Sequence, residues 1–221
     1  MSREAPEHGA RVLQAGAPLA EATAAMILAH GRGASAEDIM LLAGELEMPG
    51  FAYLAPQAAG NTWYPYPYSA PTTANEPWLS AALATLERIS TLVQEASVPP
   101  ERLVLLGFSQ GACLTLEFAA RNARRYGGVV GLSGALIGPP DSPRDYPGSL
   151  EGTPVFLGCS DVDPHISAGD VRSAAEVLRR LGGDVTASLY PGMGHEVNQD
   201  ELEHVRAVMR PLVAGDSAAS R

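Results

Sequence analysis

The segment Gly107-Phe108-Ser109-Gln110-Gly111 stands between the apolar run Leu103 to Leu106 and a second apolar run that begins at Ala112. A Gly-x-Ser-x-Gly stretch in that setting forces the chain to reverse sharply. The glycines remove side chains that would clash there, and the hydroxyl is left projecting at the carboxyl end of a strand. The pattern alone also fits an ordinary turn serine. Its place between a strand-like and a helix-like run favours a nucleophile at Ser109.

A serine hydroxyl attacks a carbonyl only when a base takes its proton, and imidazole is the side chain suited to that near neutrality. Five histidines compete. His8 lies in a start expected to be disordered, His204 in a charged helix, His165 beside a proline and His30 at the end of a strand. His195, in Pro191-Gly192-Met193-Gly194-His195-Glu196-Val197, occupies a loop after the last strand and is the preferred base. An acid must hold the imidazole in one tautomer, and Asp161 and Asp163 in the loop after Gly158 both qualify; Asp141, Asp145 and Asp170 read as structural acids. The developing oxyanion needs donors, expected from the backbone N–H of Gln110 and from the His30-Gly31-Arg32-Gly33 turn, with His30 itself structural.

These groups require a scaffold that delivers several loops to one place. Short apolar runs at 24–30, 51–55, 102–106, 128–132, 154–158 and 185–190 alternate with helical patterns at 36–47, 78–96, 112–125, 168–181 and 200–213. That alternation predicts the α/β class, with a mainly parallel central sheet covered by helices on both faces. Residues 11–15 are expected to form an antiparallel edge strand. The stretch 57–77 carries four prolines and Trp63, Tyr64, Tyr66 and Tyr68, so it reads as a long functional loop rather than a regular element.

All 15 basic residues are arginine, and against 25 acids they leave a net charge of −10, which repels nucleic acid and anionic membranes. No run approaches the roughly 20 apolar residues of a membrane span. Only Cys113 and Cys159 are present, with no disulfide framework and no metal-ligand spacing, so neither cofactor nor metal is expected. The start has no signal-peptide pattern, and a cytoplasmic location is expected. The length suits one domain over 1–221, with 1–9 and 215–221 expected to be flexible.

Taken in order, Ala29-His30-Gly31-Arg32-Gly33, Gly107 to Gly111, Asp163-Pro164 and Gly192 to Glu196 make the chain resemble the phospholipase/carboxylesterase family, a compact branch of the α/β hydrolases that includes acyl-protein thioesterases. The resemblance implies Ser109 as nucleophile, Asp163 as acid and His195 as base, with the second oxyanion donor at the N–H of Arg32. It implies a small-molecule ester substrate and, by analogy, a homodimer. The aromatic stretch Gly60-Asn61-Thr62-Trp63-Tyr64-Pro65-Tyr66-Pro67-Tyr68 is more similar to small bacterial esterases than to acyl-protein thioesterases. It is expected to form a minimal cap in which Trp63, Tyr64 and Tyr66, with Phe108 and Met193, contact the substrate. Cys113, one helical turn after Ser109, is expected to be a core residue.

Overall fold

Six consecutive strands of the computed structural model run parallel because each is joined to the next by a crossover, and only the first strand is reversed. The structure describes residues 5–214. The strands are β1 (Val12–Gly16), β2 (Ala24–Ala29), β3 (Phe51–Pro56), β4 (Leu103–Phe108), β5 (Gly128–Leu132), β6 (Pro154–Ser160) and β7 (Asp184–Tyr190). The helices are α1 (Ala36–Glu45), α2 (Trp78–Glu95), α3 (Gln110–Arg121), α4 (Ala168–Arg180) and α5 (Gln199–Val213). Strand order is β1-β3-β2-β4-β5-β6-β7, with β1 antiparallel to β3 and every other pair parallel.

β2 to β5 are apolar throughout because both faces of the sheet are covered. Alternate residues of β2 serve the two sides. Ala25, Ile27 and Ala29 join the core under α2, α3 and α4, whereas Ala24, Met26 and Leu28 join the core under α1 and α5. Each large side chain buried there contributes about 1.5–3 kcal/mol. Helix starts are fixed by local chemistry: Ser35 and Asp38 form a reciprocal cap on α1, and Asn198 and Glu201 do the same for α5.

From β2 the chain moves outward to β3, and from β4 it moves the other way to β5. The carboxyl ends of β2 and β4 therefore flank the point where the winding reverses, the place where open α/β sheets form a crevice. No described helix is long and apolar enough to cross a membrane.

The structure shifts several expected boundaries. α3 starts at Gln110 rather than Ala112, because the reversal is completed within Ser109. It stops at Arg121 rather than Arg125, where the side-chain and backbone N–H groups of Asn122 both turn back to the Phe118 carbonyl. β4 runs through Gly107 and Phe108, and β6 through Cys159 and Ser160, because neighbouring strands continue to pair with them. His8 lies in an ordered and buried position, its Nδ1 accepting from the Ala59 N–H at 3.0 Å and its ring 5.5 Å from that of Trp63. Of the ends expected to be flexible, residues 1–4 and 215–221 lie outside the described residues.

Gly111 brings the backbone of α3 against the sheet: a Cβ there would overlap the Ala29 carbonyl, and one on Gly107 would overlap the Gly111 carbonyl. Backbone cannot yield as a flexible side chain can. Gly111→Ala is therefore expected to destabilise the fold by about 1–3 kcal/mol. Urea titration would read this as a lower midpoint at unchanged slope, and wild-type stability would show that the contact is slack.

Candidate active site

Three loops at the carboxyl ends of β4, β6 and β7 bring the expected reacting groups together. Ser109 follows β4 directly and takes φ 54° and ψ −119°, a left-handed conformation that side chains rarely adopt. Its N–H donates to the Leu132 carbonyl at 2.9 Å and its carbonyl accepts from the Cys113 N–H at 3.0 Å, so both sides of the bend are anchored. The Oγ lies 2.9 Å from His195 Nε2, and His195 Nδ1 lies 2.7 Å from Asp163 Oδ2. A carboxylate only accepts, so Nδ1 carries the proton and Nε2 offers a lone pair to the serine hydroxyl.

Asp163 is wholly buried as a side chain, while His195 keeps 19% of its surface. Burial pushes the Asp163 carboxyl up, but hydrogen bonds from His195 and from the N–H groups of His165 and Ile166 outweigh it and hold the acid below its ordinary range. The Cys159 thiol donates to the same oxygen at 3.7 Å; burial and the neighbouring carboxylate push it up to about 12, so it stays protonated. Asp161, the rival acid, does something else. Its Oδ1 accepts from the Gly192 N–H at 2.8 Å, while Ser160 Oγ accepts from the Gly194 N–H at 3.2 Å. The acid loop thereby holds the histidine loop from outside as Asp163 holds the ring from within. The residues' types left both acids open, and only the Asp163-Pro164 motif of the family resemblance favoured Asp163.

Of the residues expected to carry the oxyanion donors, Gln110 follows the nucleophile directly and Arg32 follows Gly31, which packs against it. A Cβ on Gly31 would sit 3.4 Å from Ser109 Cβ, which places the His30–Gly33 turn directly over the bend. That turn is held by the Gly33 N–H on the Asn61 carbonyl at 2.7 Å and by Trp63 Nε1–H on the His30 carbonyl at 2.9 Å. The backbone N–H groups of Arg32 and Gln110 donate to no acceptor among the described residues.

The expected substrate wall is corrected by the structure. Trp63 and Tyr64 are 0% and 1% exposed and belong to the core under α2 and α3, because the His30 carbonyl and the Gln110 side chain supply polar partners inside the protein. Met193 is drawn toward α5, its sulfur accepting from Asn198 Nδ2 at 2.8 Å. Phe108 packs on the His195 ring at 5.0 Å and backs the imidazole. Tyr66 alone of the five is strongly exposed, at 45%. Tyr68 ties the loop down by donating to Asp170 Oδ2 at 2.7 Å. The sequence reading also missed His165, whose ring meets that of His195 edge-on at 4.8 Å. Among the described residues no group of three or more His, Cys, Asp or Glu side chains is placed to hold a metal ion.

A profile of the phospholipase/carboxylesterase family matches residues 12–212. The chain belongs to the phospholipase/carboxylesterase family. This is a family of α/β hydrolases that spans carboxylesterases and acyl-protein thioesterases. The crystal structure of a phospholipase/carboxylesterase from Dyadobacter fermentans is similar at 36% identity and a TM-score of 0.89, covering 93% of this chain and 98% of that one. Acyl-protein thioesterase 1 of Gibberella zeae is 34% identical over 52% of this chain and 50% of its own length. A probable carboxylesterase, SOBER1-like, of Arabidopsis thaliana is 25% identical over 86% and 79%. The chain thus spans about half the length of the acyl-protein thioesterase, whereas its likeness to the bacterial structure runs nearly end to end.

Three residues beyond the histidine loop's Asn198 cap lies Glu201, fully buried, with Oε2 accepting from the Asn198 N–H at 2.9 Å and Oε1 against Gly158 with no hydrogen-bond partner among the described residues. Burial pushes its carboxyl up to about 7. A raised acid pKa means the folded chain keeps a proton that the unfolded chain gives up at lower pH. The stability is fully present below the ordinary glutamate range and is lost as pH rises through about 7. Between pH 5 and 8, Glu201→Gln should gain up to about 3 kcal/mol relative to wild type. Denaturant curves at the two pH values measure this, and a pH-independent difference would show that the carboxyl titrates normally.

Proposed function

We propose that the chain is a serine carboxylesterase that hydrolyses small, short-acyl carboxylic esters through an acyl-enzyme. The observation that carries this reading is the continuous relay from Ser109 Oγ through His195 to Asp163, at 2.9 and 2.7 Å. In it, Ser109 Oγ attacks the ester carbonyl carbon as His195 Nε2 takes the hydroxyl proton. Asp163 stabilises the imidazolium, and the N–H groups of Gln110 and Arg32 receive the oxyanion. Collapse breaks the bond to the alcohol oxygen, to which His195 returns the proton. Water then attacks the acyl-Ser109 carbonyl, giving its proton to His195; on collapse the bond to Ser109 Oγ breaks, His195 Nε2 returns the proton to that oxygen, and the carboxylic acid is released.

The limit to short acyl groups is supported by the aromatic loop. Its hydrogen bonds at Trp63, Tyr64 and Tyr68 close it against the sheet and α4, and a long acyl chain needs a continuous apolar groove instead. A second reading, thioester hydrolysis on longer chains, draws support from the relatives named acyl-protein thioesterase 1 and uses the same relay.

Hydrolysis of p-nitrophenyl esters from two to sixteen carbons separates the two. The expected outcome is a maximum of kcat/KM at the short end and a fall of roughly 10⁴–10⁶-fold in kcat for Ser109→Ala. Equal turnover by that variant would remove Ser109 as the nucleophile, and a maximum at the longest chains would favour the second reading.

A further inference from the structure

The two residues whose N–H groups are proposed to meet the oxyanion direct their side chains into the aromatic loop. Arg32 Nη1 donates to Thr62 Oγ1 at 3.1 Å and to the Pro65 carbonyl at 3.0 Å, and Nη2 donates to the Tyr66 carbonyl at 2.9 Å. The guanidinium carbon also stands 6.0 Å above the ring of Tyr64. From the other side, Gln110 Oε1 accepts from the Trp63 N–H at 2.9 Å and its Nε2 donates to the Tyr64 carbonyl at 2.8 Å. A planar guanidinium with donors in a fixed fork suits such convergent carbonyls, whereas an ammonium is a point donor.

We infer that the Arg32 side chain is a positioning residue that sets acyl-chain selectivity. It fixes loop 62–66 to the turn that carries the Arg32 N–H, so the wall that limits the acyl group and the donor that meets the oxyanion keep one spacing. The inference rests on the esterase reading above. Three features support it. The guanidinium is on the exposed side of the turn, so the fold does not need it for its core. All three acceptors belong to a stretch of the loop no longer than five residues. Apart from the Arg32 bonds the loop is secured independently, by Gln110 on Trp63 and Tyr64, by Asn75 Oδ1 on the Tyr66 N–H at 2.8 Å and by Tyr68 on Asp170, so removing Arg32 loosens the Pro65–Tyr66 side of the stretch without releasing the whole loop.

The test compares wild type, Arg32→Met and Arg32→Lys on p-nitrophenyl acetate, butyrate and octanoate, with melting curves as the check on folding. Arg32→Met keeps the backbone N–H and most of the side chain's length but has no donors. On acetate its kcat is expected to fall about 10- to 100-fold, within the range for a displaced oxyanion donor, with a smaller change in KM. Its ratio of acetate to octanoate kcat/KM should drop by about fivefold or more, because a loosened wall relieves the longer chain. Arg32→Lys, which can reach only part of the acceptor set, should recover part of both effects. If Arg32→Met does not fold, Arg32→Lys is decided on the same ratio against wild type. A folded variant with the wild-type kcat and ratio would overturn the inference, as would an equal loss at all chain lengths. A wild-type protein inert toward every ester would instead remove the esterase reading itself.

Discussion

The hydrogen bond between His195 Nδ1 and Asp163 Oδ2, 2.7 Å long, is the interaction to which the rest of the site is fitted. It selects the tautomer that leaves Nε2 able to accept from Ser109, and it joins the loop after β6 to the loop after β7. The histidine loop has glycines in left-handed conformations on both sides of Met193, so its own backbone would not hold one shape. Its shape is imposed by Asp161 and Ser160 on one flank, the Asn198–Glu201 cap on the other and the Phe108 ring behind. Asp163 can serve as the fixed point because two backbone N–H groups hold its second oxygen while the imidazole takes the first.

Those loops meet only because the strands run in one direction. Parallel order from β2 through β7 sends the ends of β2, β4, β6 and β7 to the same edge of the sheet. Reversal of the winding between β2 and β4 puts Ser109 at the switch point, where open α/β sheets characteristically bind ligands. The bend at Ser109 would relax toward ordinary backbone if it were free to do so. It is held because β4 and β5 pair up to Phe108 and Leu132, and α3 begins in the next residue. Gly107 and Gly111 make that junction possible by letting backbone approach backbone. The apolar cores on the two faces therefore maintain a local strain of the kind that positions an attacking oxygen.

How legible this was differs from residue to residue. Ser109, His195 and the alternation of strands and helices could be read directly, since a buried parallel strand is an apolar run and the turns around these residues carry glycine. β4 was read as ending at Leu106 because Gly107 is a local stop signal, yet the ladder continues wherever Ala29, Gly131 and Leu132 offer pairing, which is a property of distant sequence. As residue types Asp161 and Asp163 were equivalent, and only the Asp163-Pro164 resemblance preferred the second; the physical reason is strand length, since β6 extends to Ser160, which leaves Asp161 at the rim and puts Asp163 under the imidazole. Trp63 and Tyr64 were the hardest to read. An aromatic side chain in a proline-rich loop has the same local context whether it faces solvent or sheet, and what draws these two inward is the His30 carbonyl and the Gln110 amide. His8 was misread for the same reason, its partner being the N–H of Ala59.

On the proposed mechanism Arg32 and Gln110 are used twice, and that limits how such a site can change. A backbone N–H is supplied by any residue but proline, so oxyanion stabilisation places little demand on the identity of either side chain. The loop places a stronger one, because its carbonyls at Tyr64, Pro65 and Tyr66 accept from these two side chains. On the proposed mechanism, a longer acyl group requires a displaced loop. Displacing it breaks bonds to both donor-bearing residues at once, unless their side chains are replaced while their backbones stay in position. The proposed function thus links substrate range and charge stabilisation mechanically, and the link passes through the side chains rather than through the reacting atoms.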